Sequence, residues 1–213
     1  MGRKMSNIPK SFHNNVFINC PFDKKYMSLL NPLLFTILYL GFKPRIASES
    51  FDSGEARINK ILKLISSSKY SIHDLSRIKS LKKNEIYRLN MPFELGVDIG
   101  CRLFKKGAHK KKKCLILEAK QYRYQKALSD MSNSDIKKHD NAAEKVVRQV
   151  RNWFVEIGLR RVENPTKIWE RYNEFTADFY EKRKAEGYRK RDLQTMPTPE
   201  LVNFMREWVK KNK

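Results

Sequence analysis

Short β-favouring apolar runs alternate with segments of helical periodicity through the first two thirds of the chain. Strands are predicted at 15–20, 44–47, 70–75 and 114–117, and helices at 26–40, 53–65 and 92–104. Strands that alternate with helices are typical of an α/β fold with a parallel sheet, and right-handed crossovers leave few topologies open. We therefore expect a flavodoxin-like or Rossmann-like three-layer sandwich at residues 12–130.

The last third of the chain has a different pattern. Helical periodicity recurs near 142–157, 166–185 and 199–211, and no strand signal of similar strength accompanies it. Ser53 and Thr198 are the residue types that cap helices, and we expect each to begin one. Residues 131–213 are accordingly expected to form a small, basic, helical C-terminal region.

The charge of the chain favours polyanionic partners. Its 213 residues carry 45 Lys+Arg against 23 Asp+Glu, a net charge of +22. Part of this surplus lies in the acid-free stretch 105–113, and part lies in a second cluster at 182–191. Lys110, Lys111, Lys112 and Lys113 are therefore candidate contacts to nucleic acid. The alternatives are a solvated, repulsive face, or a surface for a regulatory partner protein.

Composition also excludes several classes of protein. A hydrophobic fraction of 40% is too high for a wholly disordered chain. No apolar run reaches the roughly 20 residues of a membrane span, and no apolar N-terminal segment suggests secretion. Three scattered cysteines are too few for a disulfide framework or a zinc site. We expect a cytoplasmic protein without a bound metal.

Glu94 is the most informative acidic residue. Ligands of open parallel sheets bind beyond the carboxyl ends of the strands, and here the loops 20–24, 47–54 and 73–92 lie at that edge. The predicted helix at 92–104 places Glu94 in its first turn, where the helix dipole favours an ionised carboxylate. Such a group can stabilise or attack the oxocarbenium-like sugar that forms when an N-glycosidic bond breaks. The alternative is a capping-box acid that serves only its own helix.

Other polar residues are expected at the same edge. Asp74 ends the third strand, where it could bind a ribose hydroxyl, while Ser76 and Arg77 could reach phosphate; the alternative is a capping or turn role for Asp74. Cys20 is interpreted as a small buried hydrophobe. The segment 122–139 could complete the pocket through Asp135 or His139, or could simply pack the sheet against the helices.

Three segments, 16–23, 72–77 and 90–96, resemble the core of the nucleoside 2-deoxyribosyltransferase-like and TIR-like superfamily, and the resemblance covers roughly residues 15 to 118. Its most specific part is Phe93-Glu94-Leu95-Gly96 with the upstream Asp74-Leu75-Ser76. The resemblance implies a flavodoxin-like fold and N-glycosidic cleavage through Glu94, with Asp74 as the second catalytic residue. The expected substrate-binding residues are Cys20, Pro21, Phe22, Ser76, Arg77, Asn90, Pro92, Asp135 and His139.

The resulting hypothesis is an N-glycosidase that acts on NAD or a related nucleotide as substrate and uses no cofactor. The resemblance also implies a setting, because many bacterial relatives are toxic effectors of anti-phage systems, retrons among them, and it allows a site shared between subunits. Two alternatives remain open. One is a non-catalytic sensor of a nucleotide signal, and the other is a nucleic-acid-binding module on an α/β scaffold.

Overall fold

Five parallel strands form one sheet in the computed structural model, which describes residues 9–49, 52–77, 89–120 and 135–213. In chain order they are β1 (Asn15–Asn19), β2 (Lys43–Ile46), β3 (Tyr70–Asp74), β4 (Lys113–Glu118) and β5 (Ile136–Lys138). Their order across the sheet is β2-β1-β3-β4-β5, which is the order of flavodoxin-like folds. The predicted α/β architecture is confirmed.

Seven α-helices lie in the described residues. They are α1 (Met27–Tyr39), α2 (Arg57–Ser66), α3 (Asn90–Phe104), α4 (Ala143–Glu156), α5 (Pro165–Ala185), α6 (Lys190–Gln194) and α7 (Thr198–Asn212). The two predicted caps are wrong, because α2 starts four residues after Ser53 and Thr198 is already the first residue of α7. Asn164 does cap a helix, because its side chain accepts from the Lys167 amide at the start of α5.

Alternate residues of the strands face two helical layers, because successive side chains of a strand point to opposite faces. Val16 and Ile18 of β1 pack with α1 and α4, whereas Phe17 packs with Ile61 and Ile65 of α2 on the other face. Beneath β3 and β4, Leu95 of α3 joins a third apolar cluster. The sheet is therefore covered by α1 and α4 on one side and by α2 and α3 on the other.

Helix α1 lies at the centre of the larger apolar core. It contacts the sheet, and α4, α5 and α7 cover the rest of its surface. The Phe35 ring stacks 5.6 Å from Phe175 of α5 and lies 5.8 Å from Trp208 of α7. This surrounding protein explains why so apolar a helix exists here, and none of the described helices has both the length and the apolarity to cross a membrane.

Strand β5 was not predicted. It pairs Ile136, Lys137 and Lys138 with the last residues of β4, but only Ile136 is buried. One apolar residue followed by two lysines gives no strand signal. The predicted domain boundary between residues 130 and 131 lies outside the described residues, and it stays a prediction.

Candidate active site

A cleft of about 640 Å³ opens beyond the carboxyl ends of β1 and β3. Strand order reverses between these two strands, because β2 lies on one side of β1 and β3 on the other. That is the place where flavodoxin-like sheets bind ligands. The cleft is lined by Asn19, Cys20, Pro21, Phe22, Asp23, Arg57, Leu89, Asn90, Met91 and Glu94.

Glu94 forms part of the wall of this cleft. Helix α3 starts at Asn90, two residues before the predicted start, so Glu94 lies in its second turn. The expectation of a first-turn carboxylate is therefore wrong, and so is the capping-box alternative, because a capping box needs the acid at the third position of the helix and Glu94 is at the fifth. Glu94 is only 6% exposed, and among the described residues no hydrogen bond to its carboxylate is present.

The protonation behaviour of Glu94 also differs from the expectation. Burial raises the pKa of Glu94 above its ordinary value, and the positive charge of Arg57 opposes that rise. The dipole of α3 has little effect on a group in the second turn, since its influence falls off within the first. Glu94 is thus a partly desolvated acid that faces an open cleft within the influence of the positive charge of Arg57.

Two turns of α3 are fastened to the sheet below the cleft. The side-chain amide of Asn19 donates to the Met91 carbonyl at 2.8 Å, and its nitrogen lies 3.0 Å from Nδ1 of His73. On the other edge of the imidazole, Nε2 of His73 donates to Asp98 Oδ2 at 3.1 Å. Since Met91 and Asp98 lie on either side of Glu94 along α3, these contacts fix the position of Glu94.

Asp98 is held ionised by its neighbours. Lys112 Nζ lies 3.0 Å from Asp98 Oδ1, and both side chains are buried. Burial alone would raise the pKa of Asp98, but the hydrogen bond from His73 and the charge of Lys112 lower it to about 2. The oxygens of this carboxylate are therefore already matched by a hydrogen-bond donor and an ammonium group.

His73, Asp98 and Cys114 come within 4.8 Å of one another through potential metal-ligand atoms. The ammonium of Lys112 beside Asp98 already supplies the positive charge that a metal ion would bring. We therefore interpret this cluster as one that holds α3 against the sheet and not as a metal centre.

Asp74 is placed differently from the expectation. Its carboxylate is fully buried and accepts from the Tyr26 hydroxyl at 2.5 Å and from the Ser76 amide at 2.8 Å. Nε2 of His139 lies 3.0 Å from the same carboxylate. Burial raises the pKa of Asp74, but these partners, His139 first, lower it below its ordinary value. The prediction that Asp74 contacts a sugar directly is therefore wrong. Asp74 instead joins β3 to α1 and to the end of β5.

Asp135 and His139, expected together at the pocket, are separated by β5. His139 follows the strand at its carboxyl end and is buried against Asp74 of the same chain. Asp135 precedes the strand, its side chain is 85% exposed, and it pairs weakly with Lys137 at 3.7 Å. Asp135 is therefore not at the carboxyl end of the strands of its own sheet, its binding of substrate stays a prediction, and the rest of that cluster, 122–134, lies outside the described residues.

Of the other expected binding residues, four line the cleft. These are Cys20, Pro21, Phe22 and Asn90. Cys20 packs into the apolar core, and burial, together with the negative charges of Asp74, Glu94 and Asp23, raises the pKa of its thiol. It is therefore a neutral wall residue, as interpreted from the sequence.

The remaining expected binding residues do not line the cleft. Arg77 lies 3.6 Å from Asp23, and Ser76 is buried with its amide bound to Asp74. Pro92 is half-buried in the first turn of α3 and is not one of the lining residues. Ser76 and Arg77 thus contact acidic residues of the protein itself, and the contacts of these three residues with a substrate stay predictions.

Arg57 was missed by the sequence reasoning. It is the first residue of α2 and lines the cleft opposite the segment that follows β1. The signal was available, since the 47–54 loop was expected at the ligand edge, but the assumed cap at Ser53 placed the start of the helix four residues too early. Arg57 supplies an exposed cation close enough to influence Glu94.

The four candidate lysines divide into two groups. Lys110, Lys111 and Lys113 are exposed. Lys112 is only 3% exposed and donates to the carbonyls of Ile65 and Ser68 as well as pairing with Asp98. A nucleic-acid contact by Lys112 is therefore wrong.

The fold and the cleft together define the class of protein: a flavodoxin-like α/β protein with a desolvated glutamate and an arginine at the switch point of its sheet. Comparisons of the chain with models of protein families, with curated proteins and with solved structures each find no match.

Proposed function

We propose that this protein cleaves the N-glycosidic bond of NAD or a related nucleotide in the cleft beyond β1 and β3. The observation that carries the proposal is Glu94, a carboxylate that is 6% exposed, faces the cleft, and has no hydrogen-bond donor among the described residues. A buried acid without an internal partner is energetically unfavourable, so a role toward a bound ligand explains its presence.

The chemistry requires little more than this carboxylate. As the C1′–N bond breaks, the base leaves with the bonding electron pair and the sugar becomes oxocarbenium-like. The ionised Glu94 stabilises this positive centre or bonds to C1′. Water then bonds to C1′ through its oxygen and releases one proton to the solvent; where Glu94 has bonded to C1′, that bond breaks and the carboxylate is regenerated. Nicotinamide leaves NAD as a neutral molecule, because the bonding electron pair cancels the charge of its ring. That reaction therefore needs no general acid.

The surroundings of Glu94 suit a nucleotide substrate. Pro21 and the half-exposed Phe22 provide apolar surface at one side of the cleft, against which a flat base can pack. Arg57 and the start of α2 provide positive charge for an anionic group of the substrate. A cleft of about 640 Å³ is large enough for a nucleotide. A role in anti-phage defence stays a prediction from the resemblance.

The test is mass spectrometry of NAD and of a nucleotide mixture after incubation with wild-type protein and with Glu94→Gln. Glu144→Gln, which removes an exposed acid from α4 on the other side of the sheet, is the matched control. We expect free base from the wild type and from Glu144→Gln, and none from Glu94→Gln, with all three proteins folded. Binding of intact nucleotide without any product from the wild type would overturn the proposal in favour of a nucleotide sensor.

A further inference from the structure

The carboxyl end of α3 carries an aromatic ring almost completely in water. Phe104 is 86% exposed and the preceding Leu103 is 60% exposed. Two lysines follow immediately, and a short 3-10 helix, Gly107–Lys111, then packs back against α3. A Phe this exposed is uncommon in a folded protein, and a cluster of such residues marks a binding surface.

Two buried side chains determine which lysines of this loop face the solvent. Nε2 of His109 donates to the Ser66 carbonyl at 2.9 Å, and Lys112 Nζ donates to the Ile65 carbonyl at 2.8 Å. These contacts fasten the loop to the end of α2. The lysines on either side of the anchors remain exposed, namely Lys105, Lys106, Lys110, Lys111 and Lys113. The exposed lysines thus lie on a loop that is itself held in place and that packs against α3, the helix that ends in Phe104.

Within the described part of the chain, neither the loop 105–113 nor the two helices that pack against it, α2 and α3, carry an exposed acid. The loop 105–113 contains no Asp or Glu, and neither does α2. The two acids of α3, Glu94 and Asp98, are both buried. A second copy of the chain that docked through this same surface would be repelled. Charge complementarity therefore favours a polyanion.

We propose that this surface binds single-stranded nucleic acid, with phosphates on the exposed lysines and a base stacked on Phe104. It is named here the Phe104 platform and comprises Leu103–Lys106, Lys110, Lys111 and Lys113. Exposed aromatic rings within a basic surface bind single strands in this way, because every base has a face that can stack. In duplex nucleic acid the base faces are covered by their neighbours, so the ring would have no partner.

The Phe104 platform is separate from the cleft. Lys113 begins β4, so the platform lies at the amino ends of the strands, whereas the cleft lies beyond their carboxyl ends. The proposal therefore does not depend on the enzymatic one, and either can fail alone.

The experiment is fluorescence anisotropy of a labelled oligothymidylate titrated with the full chain at several salt concentrations. Phe104→Ala is expected to weaken binding by roughly 5- to 150-fold, since one stacked base contributes about 1–3 kcal/mol. Replacement of Lys110, Lys111 and Lys113 by Gln should reduce the slope of log affinity against log salt by about 2. Lys112 is left intact because its replacement would disturb the fold.

Matched controls separate this surface from general charge. Tyr180→Ala removes another partly exposed aromatic ring, and the exposed lysines 138, 145 and 167 can be changed together to Gln. We expect the aromatic control to leave affinity unchanged and the triple control to lower the salt slope less than the platform triple does. The proposal would be overturned if the control variants lost as much affinity, and as much of the salt slope, as the platform variants do.

Three further outcomes would also overturn it. One is binding of duplex DNA as tight as binding of the single strand and insensitive to Phe104→Ala. Another is equally tight, Phe104-dependent binding of polyglutamate, which would indicate an acidic protein partner. The third is self-association that Phe104→Ala abolishes, measured by sedimentation without nucleic acid. Thermal unfolding of each variant verifies that the protein remains folded.

Discussion

Replacement of Lys112 by Met is expected to destabilise the protein strongly. The Lys112 ammonium is buried, pairs with Asp98 at 3.0 Å, and binds two carbonyls at the end of α2. Met preserves most of the side-chain volume but removes the charge, so Asp98 keeps its hydrogen bond from His73 and loses its ammonium partner inside the protein. Breaking one partner of a buried pair costs about 3–5 kcal/mol.

The assay is urea and thermal unfolding of the wild type, Lys112→Met and Lys111→Met. For a chain of this size, a loss of about 3–5 kcal/mol lowers Tm by roughly 6–20 °C. Lys111 is the adjacent but exposed lysine, so its replacement should change stability by no more than about 0.5 kcal/mol. The comparison holds residue type and sequence neighbourhood constant and varies only burial.

A double variant identifies the cause of the loss. Lys112→Met combined with Asp98→Asn removes both charges, so part of the stability lost in Lys112→Met should return. Equal Tm values for Lys112→Met and Lys111→Met would refute the buried pair. A double variant less stable than Lys112→Met would show that the cost lies in the lost contacts to the carbonyls and not in the loss of the ammonium partner of Asp98.

Three further predictions concern the site. Burial raises the pKa of Glu94, so the contribution of this side chain to stability is most favourable below its ordinary pKa of 4.5 and is lost as pH rises through the folded pKa. Glu94→Gln should therefore have a Tm equal to or higher than that of the wild type at neutral pH. A lower Tm of this variant at neutral pH would contradict the reasoning. Asp98, with its pKa lowered from 3.8 to about 2, should contribute about 2 kcal/mol above pH 4 that is lost as pH falls toward 2, and Asp98→Asn should flatten that part of the urea-unfolding profile. Arg57→Gln should raise KM for NAD about tenfold or more with kcat little changed, because it removes a charge-assisted contact to an anionic group; an unchanged KM in steady-state kinetics would place the anion elsewhere.

The sequence pattern predicted the central elements of the fold because their signals are local. β1 and β4 contain continuous apolar runs that must be buried on both faces, and α1 is an apolar segment of helix length. β5 carries one buried residue and depends on pairing with β4, which local sequence does not contain. The start of α3 was misplaced because Pro92 was assumed to begin the helix, whereas Pro92 is its third residue.

For the candidate site too, some residues could be predicted from the sequence and others depend on contacts between distant parts of the chain. The strand-end rule brought Cys20, Pro21 and Phe22 together with Asn90 and Glu94, because that rule follows from topology. The burial of Asp74 depends on a contact with His139, 65 positions along the chain, and the burial of Lys112 depends on the end of α2. Residue type alone does not distinguish a lysine that faces solvent from one that completes a buried network.

Helix α3 carries Glu94 near one end and Phe104 at the other, about 15 Å apart at 1.5 Å per residue. The bonds from Asn19 to Met91 and from His73 and Lys112 to Asp98 prevent the helix from sliding along its axis unless they break. A ligand that displaces or stiffens the Phe104 end of α3 would therefore displace or stiffen the end that carries Glu94 as well. Any molecule that docks there is mechanically connected to the acid at the opposite edge of the sheet.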